Sequence, residues 1–253
     1  MRQLLDHPTL MGIACFLFLW TVTSLTVKYV HGRKPRDPDT KDDFGVLLTA
    51  VLTLLGLVIG FTFSMAINRY DERKSLEAAE ANAIGTEYVR TQLMPAADAA
   101  AVRRLLKEYT EQRILYYGAH SPADLNQIAV GRAALQDRLW ASVLPLAGSQ
   151  PTPLSALVVA GMNDVLNSQG YAHAAWLNRI PVEAWALLLL LALLANSMLV
   201  FSARSLHTYS LLLVILPAVV AVSLMLIADI DSPRGGLITV AAPNLRILVS
   251  SMH

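Results

Sequence analysis

Apolar residues in this chain fall into four long runs, set apart by two polar connections and one long mixed stretch. The runs extend from Leu10 to Val27, Phe44 to Ile67, Val182 to Phe201 and Tyr209 to Ile227. Each approaches or exceeds the roughly 20 residues that cross a bilayer as a helix. The first resembles a leader in position, but no small-x-small cleavage pattern precedes Lys28, so a retained span is expected. The second is the longest and must tilt or protrude.

The runs pair as hairpins. Lys28–Asp43 joins the first pair and Ser202–Thr208 the second. The predicted organisation is a first transmembrane hairpin (1–67), a helical region (68–180), a second transmembrane hairpin (181–228) and a C-terminal segment (229–253). An even number of spans puts both termini on the same side as the middle region. Charge does not say which side. Arg2, Arg69, Arg73, Lys74, Arg179 and Arg234 lie on one side, and Lys28, Arg33, Lys34, Arg36, Lys41 and Arg204 on the other.

The middle region has helical periodicity throughout. Asn68–Met94 carries Ala79, Ala83, Ile84 and Tyr88 along one expected inner face, and Pro95 ends it. Val102, Leu105, Leu106 and Tyr109 stripe a second helix that stops near Gly118. Ser121-Pro122-Ala123-Asp124 combines a capping serine, a first-turn proline and a first-turn acid, which starts a third. That helix carries Leu125, Ile128, Leu135, Leu139, Val143 and Leu146 inward until Gly148-Ser149-Gln150-Pro151 breaks it. Thr152-Pro153 starts a fourth, from about Leu154 towards Asn178. No segment sustains two-residue alternation, so the expected class is all-α with no sheet.

One junction stands out. In GLVIGFTFSMAINRYDERK, residues 56–74, an apolar span passes into a charged helix with no proline, and no glycine after Gly60. One unbroken rod from Phe44 to Met94 has a length of roughly 75 Å at 1.5 Å per residue. Gly56 and Gly60 share a face, the small-xxx-small spacing that lets helices approach closely, within one subunit or between subunits. Thr53, Leu57 and Phe61 form an adjacent stripe. In a ring of such helices that stripe is a candidate lumen face; in a single copy it is equally a core or lipid face.

Composition agrees with a membrane chain: 55% hydrophobic residues, 15% charged, mean hydropathy +0.47. Net charge is +1, which gives no support for nucleic acid or a polybasic surface. The single cysteine, Cys15, lies in an apolar run and cannot form an intrachain disulfide.

Catalytic chemistry finds little footing, so no enzyme activity, cofactor or metal is expected. His7, His31, His120, His173, His207 and His253 are scattered, with no i, i+4 histidine pair. There is no phosphate-binding glycine loop and no nucleophile elbow. Asp71-Glu72 and Asp229/Asp231 read as solvated helix ends or ion pairs, with an ion-binding vestibule as the sharper alternative. His173, between Tyr171 and Trp176, reads as packed core rather than a ligand. The spans contain only mild polar groups, such as Thr49, Thr53, Thr62, Ser64, Asn196 and Ser197. No span has a charged residue near its centre, which disfavours a coupled transporter. A channel with a hydrophobic constriction needs none.

At residues 56–74 the chain resembles the bestrophin family of ion channels. Ile59-Gly60-Phe61 leading into Asn68-Arg69-Tyr70-Asp71 is similar to the family's Gly-Phe span running into an Arg-aromatic pair and a charged helix. Met162-Asn163, Gly170-Tyr171, Trp176 and Ile180-Pro181-Val182 resemble the helix, turn and Ile-Pro that precede its third span. Asp231-Ser232-Pro233-Arg234-Gly235 is similar to its Asn-Pro-Phe-Gly segment. The likeness covers most of the chain and is nearest to the bacterial bestrophin-like group.

The resemblance implies an all-α homopentamer with a central pore, multi-pass in the bacterial inner membrane. It places both termini and residues 68–180 in the cytoplasm. It assigns the apolar pore neck to Thr53, Leu57 and Phe61, with Thr53 departing from the apolar preference. Gly56 and Gly60 serve helix packing, and Arg69 and Arg73 at the inner vestibule favour anions, with chloride the expected ion. The expected partners are other copies of the chain, membrane lipid and permeant inorganic ions, with no nucleic acid. The acidic run that binds calcium in animal bestrophins is missing from Gly235–Val240, so calcium gating is not expected. The rival reading is a membrane-anchored helical sensor or scaffold without transport.

Overall fold

In the computed structural model of the chain, residues 6–31, 38–149, 151–202 and 212–253 are described, and no strand occurs among them. The helices are α1 (Pro8–His31), α2 (Pro38–Arg90), a 3-10 turn (Thr91–Leu93), α3 (Ala96–Gly118), α4 (Pro122–Ser149), α5 (Pro153–Leu177), α6 (Val182–Ser202), α7 (Leu212–Asp231) and α8 (Pro243–Ser251). The fold is all-α, as the hydrophobic pattern predicts. Four helical stretches are long and apolar enough to cross a membrane: Pro8–Val30, Asp43–Leu93, Pro153–Ser202 and Leu213–Asp231. The expected start of the fourth span at Tyr209, residues 203–208 of the second connection and residues 32–37 of the first lie outside the described residues. The chain divides into two compact units, Met1–Asn68 with Arg179–Thr239, and Arg69–Asn178 with Val240–His253.

In the first unit α1 packs against both α7 and α6, and α6 against α7. Leu19, Leu188, Ala192, Ala195, Leu224 and Ile227 are fully buried between them. Two buried polar groups of these apolar helices, Thr23 and Asn196, are satisfied internally. Thr23 Oγ1 donates to Leu19 O at 2.8 Å and lies 3.4 Å from Asn196 Oδ1, while Asn196 Nδ2 donates to Ala192 O at 2.7 Å. Phe44 stacks on Phe201 with centroids 5.4 Å apart. α7 continues through Pro217.

The acidic pair at the end of α7 closes chain turns. Asp229 accepts the N–H groups of Leu237 at 2.8 Å and Ile238 at 3.0 Å. Between them Gly236 has φ +105°, and a β-carbon there would strike the Asp229 carboxylate, so only glycine fits. Asp231 accepts Ile180 N–H at 3.2 Å and lies 3.6 Å from Arg179 Nε, and Arg179 Nη1 also pairs with Asp6.

In the second unit α4 packs on α3 and on α5, and α8 packs on α3. Its core holds Ile84, Leu106, Tyr109, Leu139, Met162 and Leu245. The predicted helix starts are built as the residues suggest. Ser121 Oγ accepts Asp124 N–H at 3.1 Å. Thr152 and Ser155 form a reciprocal capping box, with bonds of 3.2 and 2.9 Å, at the start of α5. The inner stripes of α3 and α4 also lie where periodicity puts them, with Leu105, Leu125 and Ile128 only partly buried.

Two features depart from the expected pattern. Residues 243–251 form a helix within what reads as a plain C-terminal segment. And the inner face of α2 carries charge beside its apolar stripe: Ile84 is buried and Ala83 and Tyr88 pack partly buried against the core, but Ala79 is exposed, while Arg73, Glu77, Glu80 and Glu87 are buried. Two alanines, an isoleucine and a tyrosine are a weak stripe, and Arg73, Glu77 and Glu80 each have a specific use described below.

Candidate functional site

α2 carries every residue that the sequence assigns to the pore, its packing and its vestibule: Thr53, Gly56, Leu57, Gly60, Phe61, Arg69 and Arg73. It is 53 residues long without a break. Between Gly60 and Gly85 no proline or glycine interrupts it, and the charged half is rich in Ala, Glu and Arg, which favour helix.

In the first unit α2 is the least covered of the apolar helices. Of its most apolar window, 6% is buried, against 28%, 39% and 44% in the other three. Leu55, Thr62 and Ala66 make up its buried side. Thr53, Leu57 and Phe61 lie on the other side, and Leu57 and Phe61 are 52% and 66% exposed. Thr53 Oγ1 bonds back to Thr49 O at 2.9 Å, so its hydroxyl hydrogen is satisfied within the helix. Gly56 and Gly60 are also exposed, and a β-carbon at either would meet no atom within 4 Å. Among the described residues, the close approach they permit is not used within the chain. A large apolar face of this kind marks a surface for lipid or for another protein.

In the second unit two buried charges of α2, Arg73 and Glu77, finish other helices. Arg73 is 1% exposed. Its Nε donates to Ala175 O at 3.1 Å and its Nη2 to Asn178 O at 2.9 Å, the open carbonyl end of α5. A cation there satisfies orphan carbonyls and meets the negative end of the helix dipole. Four residues on, Glu77 does the converse. It accepts Leu245 N–H at 3.0 Å and Asn244 Nδ2–H at 2.6 Å at the start of α8, whose own N-cap residue, Ala242, has no side chain to do so. Glu80 pairs with Arg113 Nε, and with Arg113 Nη2 at 3.1 Å; Tyr117 Oη donates to it at 3.3 Å. The Arg113 guanidinium also lies over the rings of Tyr116 and Tyr117. Burial pulls the Arg113 pKa down, but the Glu80 carboxylate outweighs it, so Arg113 stays charged. Burial, reinforced by Glu80, pushes the Tyr109 and Tyr117 phenols well up, so both stay protonated.

Glu87 differs from these three. It is fully buried, and neither carboxylate oxygen has a hydrogen-bond partner. Arg90 Nη1 stands 3.9 Å away, and Gly161 of α5 leaves the room its carboxyl fills. Burial raises its pKa from 4.5 to about 8, with Arg90 opposing and Asp164 adding to the rise.

The two expected vestibule arginines are therefore placed differently. Arg69 is half-buried, and Arg73 is committed to α5. His173 is half-buried, with Nδ1 3.1 Å from the Tyr116 hydroxyl in an aromatic cluster that includes Trp176. Among the described residues no group of three or more His, Cys, Asp or Glu is placed to hold a metal. Sequence reasoning missed Glu77, Glu80, Glu87 and Arg113. Three glutamates spaced by three and seven along a helix were the available signal, since a wholly solvated helix needs no such register.

These features define an all-α membrane protein organised on one long helix whose span is left open on one face. A family model for the Bestrophin-like domain matches residues 14–243. The chain belongs to that family. Among solved structures, a bacterial bestrophin homolog from Klebsiella pneumoniae aligns with TM-score 0.64, covering 95% of this chain and 95% of its own at 15% identity. A single-substitution variant of that homolog aligns with TM-score 0.65, covering 95% and 93% at 14% identity. A further structure, of a membrane protein with one glycine replaced by alanine, aligns with TM-score 0.65, covering 95% of each chain at 15% identity. At such identity the likeness is one of fold. The sequence matches no curated protein.

Proposed function

We propose that the chain assembles as a homo-oligomer, a pentamer, that conducts inorganic ions passively through a central pore lined by α2. The observation that carries this reading is the open face of α2. Thr53, Leu57 and Phe61 lie on an apolar helix that its own chain leaves 6% buried. A ring of copies gives that face a narrow lumen, and Leu57 and Phe61 form a hydrophobic neck that gates by constriction and dewetting. Gly56 and Gly60, open in the single chain, allow neighbouring helices to approach closely. Membership of the Bestrophin-like family supports both the channel and the oligomer. The protein lies in the inner membrane in contact with lipid, with termini and residues 68–180 in the cytoplasm.

The anion preference expected from Arg69 and Arg73 then rests on Arg69. The Arg73 guanidinium is buried and bonded to the carbonyl end of α5, so its field is largely spent there.

The test is purification, imaging and recording. Particles with rotational symmetry and an axial hole, together with ion currents in planar bilayers, are expected. A stable monomer that passes no current overturns the channel and leaves the membrane-anchored scaffold.

A further inference from the structure

We infer that Glu87 is the proton sensor of a latch between α2 and α5: protonated, it seats α2 in a notch of α5, and ionised, it drives the two helices apart at that end. The latch lies within the second unit and holds whether or not the chain conducts ions.

The notch is Gly161. It lies on the buried face of α5 with Val158, Met162 and Val165. A β-carbon there would strike both Glu87 Oε2 and Arg90 Nη1, so this glycine lets two side chains of α2 sit against bare α5 backbone. The Glu87 carboxyl in the notch is fully buried, and neither of its oxygens has a hydrogen-bond partner. On the same helix, each carboxylate oxygen of Glu77 and Glu80 receives a donor. Those two glutamates are built to be ionised. Glu87 is not: a buried carboxyl without donors is tolerable only while it is neutral. Burial accordingly raises its pKa from 4.5 to about 8.

The charges around the notch give the release its direction. On α2 itself, Arg90 Nη1 stands 3.9 Å from Glu87 Oε2, beyond hydrogen-bond range, and its side chain is partly exposed. On α5, the exposed Asp164 lies three residues beyond Gly161 and opposes a charge on Glu87. On α3, Arg103 is already bonded to Thr91 Oγ1 at 2.7 Å and lies over the Tyr88 ring. An ionised Glu87 is therefore drawn along its own helix by Arg90 and pushed from α5 by Asp164. Both forces empty the notch. The closed latch holds its proton up to about pH 8, whereas a carboxyl released to water holds it only below about 4.5. The ratio of closed to open is thus highest in acid, falls by up to about tenfold per pH unit across that interval, and is level above it.

The test is amide exchange of the detergent-solubilised protein at about pH 6 and about pH 8, corrected for the pH dependence of intrinsic exchange. Protection at residues 158–165 should fall by about tenfold or more between the two. Residues 172–176, at the end of α5 that Arg73 holds, should change by less than about threefold. Glu87→Gln, neutral at every pH, should keep its acid-side protection at the higher pH. Two further variants move the transition in opposite senses. Asp164→Asn removes the repulsion, so the loss should be complete at lower pH. Arg90→Gln removes the attraction, so the loss should extend to higher pH. Where Glu87→Gln does not fold, these opposite shifts decide. Protection at residues 158–165 that is the same at both pH values, or that falls equally in Glu87→Gln, overturns the inference. Equal loss at both ends of α5 means that the whole unit is destabilised, and overturns the latch as well.

Discussion

Arg73 Nη2 donates to the carbonyl oxygen of Asn178 at 2.9 Å, tying the first charged turns of α2 to the last turn of α5. With the second bond to Ala175 O, this side chain satisfies carbonyls that the C-cap residue, whose N–H bonds Ala174 O, leaves open. Replacing it with a residue of similar bulk, Arg73→Met, removes two hydrogen bonds from a charged donor. At roughly 1.5–3 kcal/mol for each such bond, a loss of about 3 kcal/mol or more is expected. Thermal unfolding in detergent reads the loss, and amide exchange should speed up at residues 174–178. The neighbouring exposed Lys74→Met should stay within about 0.5 kcal/mol of wild type. Equal effects from the two would contradict a capping role.

Glu80 and Arg113, both buried, should behave as a coupled pair. Removing one partner leaves a desolvated charge, and Glu80→Gln or Arg113→Met should each cost about 3–5 kcal/mol. The double variant Glu80→Met/Arg113→Met leaves no orphan and should cost less than the sum of the singles, and less than Glu80→Gln alone where the two methionines pack. A double-mutant cycle by chemical unfolding measures the coupling. Additive costs would mean that the two side chains act independently.

The sequence carries the framework of this fold and hides its wiring. Four spans are legible because lipid demands some twenty apolar residues in a row, and Pro95 by its ring and Ser121 and Thr152 by their side-chain oxygens mark helix limits. The open stripe Thr53, Leu57, Phe61 is legible as spacing, since i, i+4 residues share a face whatever the environment. The uses of Arg73, Glu77 and Glu80 are not, because their partners lie 33 to 168 residues away. Read locally, a charge run is a solvated face. Only the tertiary fold brings a helix end to each charge and makes burial tolerable. α8 was hidden for a smaller reason. Its signal, Pro243 followed by Leu245, Leu248 and Val249, is barely two turns long and has no capping side chain.

Glu87 predicts a pH dependence of stability. Its carboxyl titrates near 4.5 when unfolded and about 8 when folded, raised by burial. The folded state holds the proton over that interval and the unfolded state does not. Its contribution is therefore complete below about pH 4.5, is lost as pH rises towards 8, and is constant above. Melting temperature should fall across that window in the wild type. Glu87→Gln keeps the shape without the charge and should flatten the difference, gaining most at alkaline pH. Gly161→Ala, which puts a methyl group where the Glu87 carboxyl lies, should destabilise at every pH. A Glu87→Gln profile parallel to wild type would show that the carboxyl stays ionised when folded.

Phe61 is the residue on which the pore reading is most exposed to failure. It is 66% exposed in the single chain, so Phe61→Ala removes little packing and should leave folding intact. If the open face of α2 surrounds a lumen, the same change removes one ring from every copy. The neck then widens and wets more readily, and unit conductance should rise about twofold or more. Leu57→Ser, one turn away, should act in the same direction by polarity rather than by width. Single-channel recording separates these from changes in open probability. A Phe61 that faces lipid gives a different pattern: alanine leaves conductance unchanged, while a charged residue there disrupts insertion and lowers protein yield. Unaltered conductance in both Phe61→Ala and Leu57→Ser, from channels that still conduct, would move the constriction away from this stripe.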